Sequence, residues 1–127
     1  MTFTEKRDLK MKEVTKEIEY KGETYKLVFN LNVMQEIQEE YKTLEAWGAL
    51  TDKKGEPDFK ALIFGMRAML NEGIDIDNEG KPEAEKKPYL SHKAVGRMLT
   101  EVGLSMATDK INDVVIESVK DDSGKNA

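Results

Sequence analysis

The chain contains no cysteine, which excludes a disulfide framework and any metal site built on thiolates. Histidine occurs once, at His92. A catalytic base needs a nucleophile to activate and a partner to orient it. The sequence offers neither beside His92, which reads as an exposed residue in the first turn of a helix. No run of residues reaches the roughly 18 consecutive apolar positions that a membrane-spanning helix requires. The opening "MTFTEKRDLKMKEV" lacks the apolar centre of a secretory signal. A soluble cytoplasmic protein without membrane partners is the expectation. Positive charge is also scarce: 20 Lys and Arg against 25 Asp and Glu leave a net charge of -5. A uniformly basic nucleic-acid footprint is therefore missing. There is no Walker-type phosphate loop, nucleophile elbow or HExxH. Gly124-Lys125 lacks the upstream glycine of a phosphate loop. No residue is nominated as catalytic, cofactor-binding or metal-binding, and the chain reads as non-enzymatic.

What the chain does have is a change of rhythm. In "YKLVFNLNVMQEIQEEY", Tyr25 to Tyr41, apolar residues first fall on alternate positions: Tyr25, Leu27, Phe29 and Leu31. They then fall at Met34, Ile37, Tyr41 and Leu44, the spacing of one helix face. Asn32 is the expected N-cap at this joint, with Gln35 three residues on as in a capping box. Gly48 is expected to end the helix, with Trp47 beside it. Upstream, Val14, Ile18 and Tyr20 alternate with polar residues, although Lys16 interrupts the apolar face. "KGET" between the two runs places Gly22 where a tight hairpin needs positive φ.

Asp58 is the expected cap of a second helix over 59–72, closed by Gly73. This helix is apolar nearly all round, the pattern of a central helix. Gly65 inside it costs about 1 kcal/mol relative to alanine and is expected to mark a close crossing. Residues 74–90 read as an acidic, solvated connection. Ser91 caps a third helix with the stripe Val95, Met98, Leu99 and Val102. Leu90 and Val95 have hydrophobic-staple spacing. A fourth helix is expected over 106–120, with Ile111, Val114, Val115 and Val119 on one side.

The expected fold class is α+β: an N-terminal β-hairpin packed on a small, mainly α-helical domain of about four helices. The single domain covers 13–120, after a flexible N-terminal arm at 1–12 and before a disordered tail at 121–127.

Three constellations carry candidate chemistry. "DIDNEGKPEAEK" puts Asp75, Asp77, Glu79 and Gly80 at positions one, three, five and six of an EF-hand loop. Position twelve is Lys86, opposite in sign to the required glutamate, so a solvated acidic loop is the better reading. The two last helices, joined at Gly103-Leu104-Ser105, have the outline of a helix-turn-helix. Their charges balance, whereas phosphate binding wants a surplus of cations. Finally, seven methionines are many for 127 residues. Met34, Met66, Met69 and Met98 sit on core stripes, where thioethers fill irregular gaps or line an adaptable groove.

The hairpin ending in "FNLN" at 29–32, the acidic helix after it, and "AVGRMLTEVG" at 94–103 resemble the tail assembly chaperones of long-tailed bacteriophages. The resemblance spans about residues 14–120. The arm at 1–12 and the length of the 74–90 connection depart from it. It implies a non-enzymatic binder in the host bacterial cytoplasm, absent from the finished particle. Its implied partners are the tape measure protein, whose amphipathic helices it keeps soluble, and tail tube protein. Coating a long partner with several copies also implies weak self-association. A small structural tail or connector subunit of the virion is the alternative. Trp47, Leu50, Phe64 and Met69 exceed what a tight core needs, and Tyr89 stands at the loop edge. These five are the expected partner contacts.

Overall fold

A computed structural model describes residues 14–52 and 56–119. The expected arm at 1–12 and tail at 121–127 lie outside the described residues. The fold is α+β. Strands β1 (Val14–Tyr20) and β2 (Glu23–Phe29) pair antiparallel. Helices α1 (Leu31–Tyr41), α2 (Leu44–Thr51), α3 (Phe59–Asn78), α4 (His92–Val102) and α5 (Leu104–Val119) follow, with a 3-10 turn at Glu83–Glu85.

The hairpin turn has two central residues, and both take positive φ: Lys21 at 52° and Gly22 at 78°. That combination is the turn whose twist matches the strands it joins. It sets Ile18 opposite Tyr25 and Lys16 opposite Leu27. Ile18, Leu27 and Phe29 are buried as the alternation requires. Val28, on the other face, is buried too. A two-stranded sheet is marginal alone; here α1, α3 and α5 all pack on β2, and α5 also packs on β1. Lys16 escapes burial at the margin, its amine 3.5 Å from Glu117 Oε2 of α5.

The first helix differs from expectation at both ends. Asn30, not Asn32, is the N-cap: its side chain accepts from Val33 N at 3.2 Å. The earlier start brings Val33 inward beside Ile37, and both are fully buried. The helix then stops at Lys42, which turns left-handed at φ 77°. Thr43 caps a new helix by accepting from Ala46 N at 2.9 Å. Gly48 therefore lies inside α2 and ends nothing. This break turns the expected four helices into five and swings Trp47 beneath α3.

α3 is the central helix, in contact with β2, α1, α2 and α4. Asp58 caps it, accepting from Ala61 N at 2.9 Å. Two glycines inside it serve close approach. A Cβ on Gly65 would lie 2.2 Å from Trp47 Cζ2, and a Cβ on Gly73 would lie 2.6 Å from the Lys26 carbonyl oxygen. Gly73 thus lets α3 lie against the backbone of β2 and does not close the helix. α3 runs on to Asn78, so the first part of the expected 74–90 loop is helical. Asp75 and Asp77 stand on that helix, which is not the geometry of an EF-hand loop. Asp77 accepts instead from the Lys26 amine at 3.0 Å, and this bond together with the carboxylate's charge raises the pKa of Lys26.

Ser91 caps α4, accepting from Ala94 N at 3.1 Å, with Val95, Met98 and Leu99 buried. α5 begins at Leu104, directly after Gly103 at φ 100°. One residue joins the helices, where a helix-turn-helix uses three or four.

Candidate functional site

α3 lines a polar groove and an apolar one. The polar one, of about 700 Å³, lies between α1, α3 and the segment leading into α4. Asn71, Asp75 and Asn78 recur at steps of four and three, and so share one face of α3. Asn71 accepts from Leu90 N at 2.8 Å and donates to Leu90 O at 3.1 Å. Asn78 does the same at Lys87, at 2.9 Å in both directions. Between them Asp75 accepts a hydrogen bond from the Tyr89 hydroxyl. Three side chains therefore strap the extended segment 87–90 along the helix. Each asparagine satisfies the backbone donor and acceptor of one residue, which a partly buried backbone requires. The hydrogen bond to Asp75 and the charge of that carboxylate hold the Tyr89 pKa above its ordinary value. Glu72 accepts from the amides of Asn30 and Asn32, at 2.8 and 3.1 Å, fastening the start of α1 to α3.

Of the groove's three carboxylates, Glu36, Glu72 and Asp75, the last two are thus engaged in holding the fold. Among the described residues, no three His, Cys, Asp or Glu side chains converge to hold a metal ion. His92 stands half-buried in the first turn of α4.

The second groove is apolar, about 320 Å³, between the N-terminal half of α3 and α4. Phe59, Leu62 and Ile63 form one wall; Gly96, Leu99 and Leu104 form most of the other. Gly96 lowers the α4 wall: a Cβ there would meet only Ile63 Cδ1, at 3.6 Å. Phe59 is 50% exposed and Leu104 36% exposed. Both occupy the first helical position after a capping or joint residue, outside the buried stripe of their helices. These are large apolar surfaces left to water, and contiguous ones mark binding sites.

The five expected contact residues do not form one exposed surface: four belong to the core cluster or pack against it, and Tyr89 stands apart. Trp47 is buried, 3% exposed, its indole N–H donating to Ala61 O at 2.9 Å. Met69 is fully buried. Neither is surplus to the core: the break at Lys42 carries Trp47 inward, and α3 buries almost its whole circumference. Leu50 and Phe64 pack partly buried against the core, Phe64 edge-on to Tyr41 at 5.5 Å between ring centres. Tyr89, 61% exposed, lines the polar groove. The apolar groove was missed because Phe59 reads as one more core residue of an all-apolar helix. The strap was missed although asparagine is a poor helix former, and two of them seven apart in α3 were a visible signal.

No protein-family model matches this chain, and no curated protein or solved structure matches it. Among the described residues, no helix is long and apolar enough to cross a membrane. On α5, Asp109, Asp113 and Glu117 recur every fourth residue, and all three are exposed. A helix face of that sign repels phosphate.

Proposed function

We propose that this protein is a tail assembly chaperone of the long-tailed phage type, which shields helices of the tape measure protein and aids tail tube assembly. The observation that carries the reading is the apolar groove between α3 and α4, open to solvent through Phe59 and Leu104. A groove of this kind suits an amphipathic helix laid in by its apolar face. The acidic, highly charged surface elsewhere keeps such a complex in solution. The role is binding, not catalysis, and it ends with assembly, so the protein is absent from the particle.

Co-expression tests it. With this protein present, the tape measure protein is recovered soluble; with the Phe59→Glu variant, it is not. Phe59 is half-exposed, so the substitution leaves the fold standing. Equal recovery with and without the protein refutes the proposal. Retention of the protein in purified particles supports a structural virion subunit instead.

A further inference from the structure

The chain that leaves α3 lies over open space. Besides the polar groove, a recess of about 340 Å³ lies between the end of α3 and the segment that follows it, lined by Asn78, Glu83 and Lys86 among others. Asp75 and Tyr89 line both hollows, so their hydrogen bond is part of the wall between them. Residues 79–89 bury little: Lys87 is half-buried and every other residue is exposed. What holds this segment down is polar. Asn78 takes both backbone groups of Lys87, and Asp75 takes the Tyr89 hydroxyl. The Lys87 amine also lies 3.5 Å from Glu23, a surface pairing that contributes little, and 5.7 Å from the centre of the Tyr25 ring.

The two ends of the segment are unlike. At one, Gly80 has φ 79° and open space where a side chain would stand, which leaves it free to absorb the torsion change of a hinge. At the other, Leu90 packs half-buried against the core while Asn71 holds both its backbone groups, and Ser91 then caps α4. The Asn71 clamp is thus backed by apolar burial, and the Asn78 clamp closes on a segment that is not.

We propose that residues 79–89 form a flap, hinged at Gly80 and anchored at Leu90, that opens as one unit while α3 and α4 stay folded. Opening exchanges the two Asn78 bonds and the Tyr89–Asp75 bond for bonds to water and exposes little apolar surface. Segments with few buried apolar contacts are the ones that open below the cost of global unfolding. The open flap joins the two hollows into one trough along the C-terminal half of α3. It also frees Asp75 and Asn78, which the closed flap occupies, so access to that face of α3 is gated. The flap is independent of whatever enters the apolar groove on the other half of α3.

Native-state hydrogen exchange of the full chain, read residue by residue by NMR, tests the proposal. After correction for intrinsic rates, the Lys87 amide exchanges at least tenfold faster than the Leu90 amide and the amides in the middle of α4. Low urea leaves the Lys87 rate unchanged, because local opening exposes little surface. Tyr89→Phe removes one exposed hydroxyl and leaves the Lys87 bond itself intact; it speeds exchange at Lys87 severalfold and leaves Leu90 unchanged. Trypsin gives a second readout. Lys81 and Lys87 precede prolines, which leaves Lys86–Lys87 as the cleavable bond of the flap. Nicking there precedes any cut within α3 or α4, and Tyr89→Phe hastens it.

Exchange of Lys87 and Leu90 at one slow rate, with the urea dependence of global unfolding, overturns the proposal. Equally fast exchange at both overturns the anchor at Leu90. An unchanged Lys87 rate in Tyr89→Phe shows that the two contacts do not open together and overturns the single unit. A first tryptic cut within α3 or α4 overturns the claim that the helices outlast the flap.

Discussion

Gly65→Ala sets two physical rules against each other, and the structure decides which wins. In the interior of a helix, alanine in place of glycine adds about 1 kcal/mol of stability. The new Cβ, however, would lie 2.2 Å from Trp47 Cζ2, 2.8 Å from Cε2 and 3.0 Å from Nε1. Carbon atoms in contact sit about 3.5–4.0 Å apart, so the indole must move by more than an ångström. The ring is part of the buried core and is tethered to Ala61 O at 2.9 Å. Forcing a methyl into a packed core costs about 1–3 kcal/mol. Stretching the tether leaves a buried donor short of its acceptor, which costs about 1–3 kcal/mol more. After subtracting the helix gain, the variant is less stable by about 1–5 kcal/mol. For a domain of this size, that lowers the melting temperature by roughly 4–20 °C. Thermal and urea unfolding followed by circular dichroism measure the change. Gly48→Ala is the control: it lies inside α2, and a Cβ there meets nothing within 4 Å. It should gain about 1 kcal/mol. In a Trp47→Ala background, where the ring is gone, Gly65→Ala should be neutral or stabilising. A Gly65→Ala protein that melts higher than the parent would refute the packing of Trp47 on α3.

Three further outcomes follow from named contacts. Asn30→Ala should cost about 1–2 kcal/mol through loss of the cap, and more than Asn32→Ala does; the reverse order in denaturant melts would return the cap to Asn32. Tyr41→Phe should raise stability by about 1 kcal/mol, because the Tyr41 hydroxyl is buried without a hydrogen-bond partner among the described residues. Burial raises the Tyr41 pKa above that of the unfolded chain. Stability is therefore independent of this group's titration below about pH 10 and falls as pH rises from there through the raised folded value, where the buried hydroxyl must ionise. The parent should weaken more than Tyr41→Phe in alkaline melts, and identical alkaline profiles would contradict this. Millimolar calcium should leave the melting temperature unchanged, since Asp75 and Asp77 are helical and already hold Tyr89 and Lys26; a calcium shift abolished by Asp75→Ala would refute that.

Much of the fold was legible along the chain because it rests on local physics. Alternation marks β2, since successive side chains of a strand point to opposite faces. Asp58 and Ser91 mark helix starts, since their side chains accept orphan amide protons within three residues. The α+β class, the central position of α3 and the close crossing at Gly65 all follow from such patterns. What tertiary structure alone decided lies where two local solutions compete or where contact is distant in sequence. Asn30 and Asn32 are equal as caps, and the burial of Val33 chooses between them. Gly73 looks like a helix terminus until β2 is laid against it, when it becomes the position that admits the Lys26 carbonyl. Lys42 carries no sign that it will turn left-handed; the burial of Trp47 against Ala61 and Gly65 requires the chain to turn there. The candidate site belongs to this second class. Phe59 and Leu104 are 45 residues apart and become one groove only when α4 folds back along α3. A groove is a property of the space between helices, and no single helix's sequence contains it.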